Sequence, residues 1–363
     1  QFNGEINSQE EMNELLNNIM LDIIHVHFYT PSPLQTLTFL KAKLQADNVD
    51  ESELNGSISY DFLGEYLVTG NWNTNQEDAF KTLSRLQDAT ELDTIIVKGI
   101  NYTNAGATAS QELAYTISQA VEYIHQLTEL GVSPEKAMNS ITFHLGINSN
   151  YFFEIAKIRA FRILWQMIAE SYGVKNVNAN IHSQTTTYNI AAQDAQTNIL
   201  RTTTEGMSAI LGGCNSLSIT PFNHSYEDAS DFSLRVARNT QIILKEEAYL
   251  SKVKDIAKGA YYIETLTDEL VQKGIEIFKD IEKTGGFLAN ITNGELQKSI
   301  RAVNEKKEKA FSSGDRSLLG VNIHLNKMEE TPVARIYSNH NNPEIVKLTP
   351  VNIPQMLTKS LIV

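Results

Sequence analysis

The alternation of short strand-forming runs with amphipathic helical stretches is the feature that most constrains this chain. Six runs rich in β-branched and aromatic residues recur over roughly the first 290 residues: Ile23–Tyr29, Ser57–Tyr60, Thr94–Lys98, Ser140–Leu145, Ala179–His182 and Ser216–Thr220. A strand-then-helix rhythm implies parallel strands joined by right-handed crossovers. Repetition of this unit favours an α/β fold of the (β/α)8 barrel type. The lack of a glycine-rich dinucleotide fingerprint after an early strand disfavours an open doubly wound sheet.

Helix signals divide the chain into three parts. The helical segment Glu112–Leu130 ends at Gly131, which is the stop chemistry expected of a helix. Downstream of Gly286 the pattern is wholly helical, whereas prolines interrupt it after Glu329. We therefore predict a barrel over residues 1–290, a helical closing segment over 291–328, and a linker or surface-wrapping tail over 329–363.

Composition argues against two classes of partner. A formal net charge of −13 over 363 residues is unsuited to a nucleic-acid-binding face. No apolar run approaches the ~18 residues that span a bilayer, and residues 1–7 have neither the basic start nor the apolar stretch of a signal peptide. The single cysteine, Cys214, excludes an intrachain disulfide and suits a reducing compartment. We therefore expect a cytoplasmic protein with neither nucleic-acid nor membrane partners.

Three local patterns each allow a chemical and a structural interpretation. The segment Leu211–Asn215 contains two glycines but lacks the Lys-Ser/Thr of a phosphate-binding loop, so a tight helix-to-strand turn is favoured. His25 and His27 share one face of a strand, yet their spacing suggests no third metal ligand, and packing histidines are favoured. His182 and Asp194 could be offered as parts of a catalytic triad. No metal site is predicted.

Several longer motifs, in a consistent order, carry a resemblance to a known family. They are Gly106–Tyr115, His182–Thr185, Gln193–Asp194, Asn198–Met207, Arg238–Glu247 and Gly320–Asn322. Together they resemble the acyl-CoA mutases that use adenosylcobalamin, above all methylmalonyl-CoA mutase. The resemblance implies that Phe2–Ile6 is the second barrel strand and that the first strand is missing from this chain. It also implies that the cobalamin-binding domain is absent, because no Asp-x-His-x-x-Gly motif occurs in these residues.

The same resemblance places the family's catalytic positions on residues that lack the required chemistry. Catalytic members use a histidine to hydrogen-bond the thioester carbonyl, where this chain has Asn101. The arginine that pairs with the substrate carboxylate corresponds to Thr69, and a glutamine near that carboxylate corresponds to Ser59. An asparagine offers no titratable proton, and a threonine hydroxyl cannot form a bidentate ion pair. We expect all three to be degenerate catalytic positions.

Further corresponding positions concern coenzyme A. An arginine that helps to hold the CoA corresponds to Asn180, and a His-Thr-Gln sequence of the eighth strand is replaced by Gly213, Cys214 and Asn215. Phe28 and His144 stand where the family has threonine and alanine, so they add bulk where a pantetheine arm would thread the barrel axis. The resemblance therefore implies that this chain binds no cofactor and that adenosylcobalamin is held by a larger subunit.

Because it lacks these site groups together, the chain resembles the small, non-catalytic subunit of the heterodimeric bacterial mutases. A missing charged partner typically costs ~1.5–3 kcal/mol per site, so three losses would remove most of the affinity for substrate. The implied partner is a catalytic large subunit, with homodimer formation possible when the chain is alone. Two alternatives stay open: an active acyl-CoA mutase of altered specificity, and an independent barrel hydrolase or binding protein that uses His182 or His27.

Overall fold

The strands of the computed structural model are all parallel and follow chain order in space. The model describes residues 2–326 and 343–361. Its strands are β1 (Phe2–Asn3), β2 (His25–Tyr29), β3 (Asn55–Ser59), β4 (Ile95–Val97), β5 (Ile141–Ile147), β6 (Asn180–Thr185) and β7 (Ser216–Ser218). They form two parallel sheets, β1-β2-β3 and β4-β5-β6-β7. A parallel bridge between Ser57 and Asp93 connects the sheets, so β4 follows β3.

Helices connect and cover these strands. They are α1 (Gln9–Leu15), α2 (Pro33–Asp47), α3 (Phe62–Thr69), α4 (Gln76–Ala89), α5 (Ile100–Asn104), α6 (Ala109–Glu129), α7 (Pro134–Asn139), α8 (Tyr151–Ser171), α9 (Thr197–Gly212), α10 (Asp231–Ile242), α11 (Tyr261–Lys283), α12 (Gly286–Thr292), α13 (Glu295–Ser312) and α14 (Ile353–Leu361). The described helices include none that is both long and apolar enough to cross a membrane.

The core lies between the strands and the helices outside them. Every residue of β5 is buried, as expected of a parallel strand that is covered on both faces. The Phe143 ring of β5 packs edge-to-face against Phe161 at 4.6 Å and Trp165 at 4.7 Å, both on α8. This aromatic contact fixes α8 against the sheet and therefore fixes the residues at the start of α8.

Helix α6 begins at a capping box within one of the resemblance motifs. The Thr108 hydroxyl accepts a hydrogen bond from Gln111 N at 3.1 Å, and the Gln111 side chain accepts one from Thr108 N at 3.0 Å. These two bonds satisfy backbone donors that the helix itself leaves unpaired. The sequence predicts that this helix begins at Glu112. The observed helix begins three residues earlier, at Ala109, directly after the capping residue Thr108.

The fold prediction is confirmed at the level of an α/β architecture with parallel strands. Within the described ranges, no ladder joins β7 to β1, so closure into a barrel stays an interpretation. Residues 327–342, where the predicted tail begins, lie outside the described residues. Beyond them, the backbone nitrogens of Leu348, Val351 and Ile353 donate to carbonyls of Leu67, Asn104 and Tyr188. The C-terminal segment therefore crosses the segments that follow β3, β4 and β6.

Candidate functional site

Two separate cavities lie among the described residues. One, the axial cavity, has a volume of about 390 Å³ and touches residues of β2 to β7. It runs from the strand starts, where Thr142 and Asn180 line it, to the strand ends at Tyr29 and Ser59. The other, the carboxyl-end cavity, measures about 560 Å³ and is lined by Asn148–Asn150 after β5 and by Tyr188 after β6. The described residues that line the two cavities are entirely different sets.

Asn180 lines the axial cavity with its amide already hydrogen-bonded. The Nδ2 group donates to Asp93 Oδ2 at 2.9 Å and to Thr142 Oγ1 at 3.1 Å. Thr142 also donates to the same Asp93 oxygen at 2.7 Å. Asn180, where the resemblance implies a lost CoA-binding arginine, therefore shares the Asp93 carboxylate with Thr142 through hydrogen bonds from uncharged donors.

Gly213 and Asn215 form the turn that brings α9 into β7. Gly213 caps α9 with a left-handed backbone (φ 86°), a conformation that favours glycine. Asn215 N donates to Ile181 O at 2.8 Å, while its side-chain oxygen accepts from Ile181 N at 3.0 Å and from Arg162 Nη2 at 2.8 Å. This geometry is the tight helix-to-strand turn favoured from the sequence, and it holds β7 to the edge of β6.

The interior histidines are neutral and bonded to neighbouring hydroxyls or packed on one another. His27 Nδ1 lies 3.0 Å from Ser57 Oγ, and His182 Nδ1 lies 2.8 Å from Ser216 Oγ. The ring of His144 packs edge-to-face on His182 with centroids 4.7 Å apart. Burial lowers the pKa of His182 to about 4 and the pKa of His144 well below its ordinary value. Both rings are therefore uncharged at neutral pH.

Neither a catalytic triad nor a metal site is assembled from the histidines that the sequence singles out. His182 contacts Ser216 and His144, whereas Asp194 accepts a hydrogen bond from Thr197 at 2.5 Å. His25 and His27 lie with ring centroids 6.4 Å apart. In the part of the chain that the structure describes, no group of three or more His, Cys, Asp or Glu residues is arranged to hold a metal ion.

A polar cluster that the sequence analysis missed stands at the carboxyl end of the axis. Tyr29, at the end of β2, donates to Glu65 Oε1 at 2.5 Å. Lys98 Nζ lies 3.3 Å from the same oxygen and 3.4 Å above the Tyr29 ring. We call these residues the Tyr29–Glu65–Lys98 cluster. The sequence could have predicted this proximity, because Tyr29 ends one parallel strand and Lys98 directly follows another. Both residues therefore lie at the carboxyl edge of the sheet.

Thr69 and Asn101 lie apart from both cavities. Thr69 ends α3, where its hydroxyl lies 2.7 Å from Glu65 O and 2.9 Å from Asn71 O. Asn101 is half-buried in the first turn of α5. Of the positions that the resemblance singles out, the structure gathers four around the axial cavity: Phe28, Ser59, Asn180 and Asn215. Phe28 and His144 are 2% and 7% exposed, and only Phe28 reaches the cavity wall.

A buried ionic network, also missed from the sequence, forms the inner wall of the carboxyl-end cavity. Lys157 Nζ lies 2.6 Å from Glu112 Oε2 and 2.5 Å from Glu154 Oε2, and it donates to Gly146 O at 2.5 Å. Burial raises the pKa of Glu154 to about 7. Burial likewise raises the pKa of Glu205 to about 8, although Glu205 accepts from Asn189 at 2.7 Å. Glu205 is therefore largely protonated at neutral pH.

Comparison with known proteins identifies the family. The family model described as methylmalonyl-CoA mutase matches residues 4–351. The methylmalonyl-CoA mutase small subunit of Porphyromonas gingivalis is 37% identical over 324 residues, which are 87% of this chain and 52% of that protein. The large subunit of the same organism is 31% identical over 329 residues (88% and 44%).

An Escherichia coli methylmalonyl-CoA mutase is 30% identical over 341 residues, which cover 91% of this chain and 48% of that protein. This chain spans about half the length of these relatives. The match to the family model includes every described lining residue of the axial cavity, and every one of the carboxyl-end cavity except Ile353. The chain therefore belongs to the methylmalonyl-CoA mutase family.

Proposed function

We propose that this chain is the non-catalytic small subunit of a cytoplasmic, heterodimeric, adenosylcobalamin-dependent methylmalonyl-CoA mutase. Its partner is a catalytic large subunit, which carries out the isomerisation of methylmalonyl-CoA and succinyl-CoA. The pattern of identities supports this role, since the Porphyromonas gingivalis small subunit is 37% identical to this chain and the large subunit 31%. Without its partner, the chain is free to form a homodimer.

The architecture behind this proposal is a (β/α)8 barrel in which β1 to β7 are strands two to eight. Two observations support it: the strands neighbour one another in chain order, and residues of six of them surround one cavity. A closed parallel barrel needs β1 and β7 to be bridged by one more strand. In this arrangement residues 1–290 are the barrel, 291–328 close it, and the chain after 328 wraps its surface.

One observation carries the proposal of inactivity: the axial cavity and the carboxyl-end cavity are separate and do not form one continuous channel. Among the described residues, none lines both cavities. Tyr29, bonded to Glu65 beside Lys98, forms part of the axial cavity wall, and the buried ring of His144 packs on His182 of the same wall. A pantetheine arm threading the axis would have to displace an ion pair, a short hydrogen bond and a packed imidazole.

The substituted positions support the same conclusion. Thr69 hydrogen-bonds the end of its own helix, and the amides of Asn180 and Asn215 bond neighbouring strands. These groups stabilise the fold and are not free to hold a carboxylate or a phosphate. Because each lost charged contact costs ~1.5–3 kcal/mol, the losses that the resemblance implies at Asn101, Thr69 and Asn180 together remove productive acyl-CoA binding.

Adenosylcobalamin is assigned to the large subunit in this proposal. The cofactor supplies the radical, and its protein must enclose it and ligate the cobalt. Pockets of about 300–1,000 Å³ hold drug-sized ligands, so the carboxyl-end cavity of about 560 Å³ is too small for a corrinoid. The described residues of this chain therefore do not fit the cofactor.

An active mutase of altered specificity is the second candidate, and the axial cavity of about 390 Å³ favours it. A shorter or narrower acyl thioester could enter from the strand starts. This candidate requires measurable acyl-CoA binding by the isolated chain, whereas the small-subunit role requires none.

Analytical sedimentation of the chain with the cobalamin-binding large subunit from the same source tests the proposal. We expect a tight one-to-one complex and isomerase activity that depends on the large subunit. Calorimetry with methylmalonyl-CoA on the isolated chain is the matched measurement, and we expect no binding heat. Lack of association together with saturable acyl-CoA binding would overturn the small-subunit role in favour of the second candidate.

A further inference from the structure

We propose that the carboxyl-end cavity binds a small organic anion bearing a phosphate or carboxylate group. Its volume of about 560 Å³ suits a metabolite-sized ligand. The proposal concerns a ligand site on this chain itself and does not depend on the subunit role or on the mutase reaction.

Three cations from separate segments meet at this cavity without a carboxylate oxygen of the described residues within 4 Å. They are Arg201 on α9, Lys307 on α13 and Arg316 after α13. Within residues 2–326 and 343–361, none of the three forms an ion pair. In a chain with 43 acidic and 30 basic residues, carboxylate partners are abundant, so three unpaired cations around one cavity are unexpected.

The contacts of these cations leave their charge unneutralised. Lys307 Nζ donates to the carbonyls of Gly106 and Ala107, each at 2.9 Å, which leaves one ammonium hydrogen for a ligand. Arg201 donates to Asn198 Oδ1 at 2.7 Å and to the Leu319 carbonyl. All of these acceptors are neutral. Burial, together with the charge of Arg316, lowers the pKa of Lys307 to about 8.

The acidic residues of the cavity wall offset only part of this charge. Glu112 and Glu154 are the carboxylates among the lining residues, and Lys157 lies between them at 2.6 Å and 2.5 Å. Four cations against two carboxylates leave an excess of two positive formal charges in a chain whose formal net charge is −13. A local positive potential on an acidic protein selects for anions.

Two long helices add to this potential, because each begins at the cavity. Thr108 and Ser110 at the start of α6, and Asn150 at the start of α8, are lining residues. Each helix has 21 residues, and the Asn150 side chain makes no capping hydrogen bond to α8. Unpaired N–H groups and the positive end of the helix dipole favour an anion at such a position.

The cavity wall also contains polar atoms that a ligand or its water shell could satisfy. Thr103 and Asn189 are 5% and 4% exposed, and each contributes to the lining. Thr103 Oγ1 and Asn189 Oδ1 have no hydrogen-bond partner among the described residues. The side chains of Phe153 and Leu270 supply apolar surface for the carbon body of the ligand.

Isothermal calorimetry at low ionic strength tests the proposal, with pyrophosphate and citrate as separate probes. Arg316→Gln removes an exposed cation that forms no ion pair among the described residues and lies 6.0 Å from the centroid of the Phe311 ring. Ala109→Glu adds a carboxylate at the first position of α6, where an acid stabilises a helix. The control is Arg235→Gln, which removes an exposed arginine of α10 that lines neither cavity.

We expect saturable binding of at least one probe to the parent chain and to the control. Arg316→Gln and Ala109→Glu should each raise the dissociation constant about tenfold or more, as expected for a lost or opposed charged contact. Preference for pyrophosphate identifies a phosphate ligand, and preference for citrate a carboxylate. No binding of either probe, or equal weakening by the control, would overturn the site. Should Arg316→Gln fail to fold, Ala109→Glu alone decides the outcome.

Discussion

The axial cavity and the carboxyl-end cavity differ in whether lysine, arginine and carboxylate side chains line them. The described lining of the axial cavity consists of histidine, serine, threonine and asparagine side chains with a few aromatic and apolar residues. The carboxyl-end cavity is lined by four cations and two carboxylates. Among the described lining residues, lysine, arginine and carboxylate side chains therefore belong to the carboxyl-end cavity alone.

The two regions also stabilise the fold in different ways. Around the axial cavity, asparagine and serine side chains connect neighbouring strands through neutral hydrogen bonds, each worth about 0.5–1.5 kcal/mol. At the carboxyl-end cavity one lysine pairs with two buried carboxylates. A buried charge left without its partner is far more costly than a lost neutral bond. Substitutions in the buried ionic network should therefore lower the free energy of unfolding more than substitutions around the axial cavity.

Removal of Lys157 should have the largest effect. Lys157→Met leaves Glu112 and Glu154 buried without a cation, since the lysine and Glu112 side chains are 1% and 0% exposed. Breaking a buried pair in this way costs about 3–5 kcal/mol, measurable as a lower free energy of unfolding in urea. The control Lys245→Met removes a pair at 3.4 Å that is 67% and 59% exposed, and should cost about 0–1 kcal/mol. Equal effects of the two variants would contradict a stabilising role for the network.

Removal of the carboxylate beside the axial cavity should have a smaller effect. Asp93→Ala deprives Thr142 and Asn180 of the oxygen that they share. Loss of hydrogen bonds to a charged group should lower the free energy of unfolding by about 1.5–3 kcal/mol. The matched variant Asp88→Ala breaks a contact to Lys136 at 3.5 Å on an exposed surface. A cost no greater than that of Asp88→Ala would show that the Asp93 network does not hold these strands together.

Glu205 should make stability depend on pH. Burial raises its pKa to about 8, above the value of ~4.3 for an unperturbed glutamate. Between these values the folded chain keeps a proton that the unfolded chain has lost, so the free energy of unfolding decreases as pH rises. The contribution reaches at most about 1.4 kcal/mol per pH unit. Glu154, with a pKa of about 7, adds to it with the same sign.

Glu205→Gln keeps an acceptor for Asn189 but removes the titrating group. Urea unfolding measured from pH 5 to pH 8 should therefore show a weaker pH dependence in this variant than in the parent chain. Glu269→Gln, on the exposed face of α11, is the control and should leave the slope unchanged. If the parent and Glu205→Gln have the same slope, Glu205 is ionised in the folded chain.

Local patterns predicted the strands better than the contacts between them. The strand predicted over Ser140–Leu145 is observed over Ile141–Ile147, because a run of apolar and β-branched residues defines a buried strand. Resemblance to the family singled out Asn180 and Phe28, which meet at the axial cavity. Neither approach found the Glu112–Lys157 pair, since its partners are 45 residues apart and periodicity carries no information about which charges meet.

The smallest expected effect is no gain of activity in a double variant. This variant tests whether two substitutions alone account for the proposed inactivity of the chain. Asn101→His with Thr69→Arg introduces the residue types that the resemblance implies for two positions that line neither cavity. We expect no conversion of methylmalonyl-CoA by this variant with added adenosylcobalamin, because Phe28 and Tyr29 still line the axial cavity and His144 still packs on its wall. A large subunit assayed in parallel shows that the assay can detect turnover. Measurable activity of the double variant would mean that two polar substitutions alone silence this chain, and that the axis opens enough to admit the substrate.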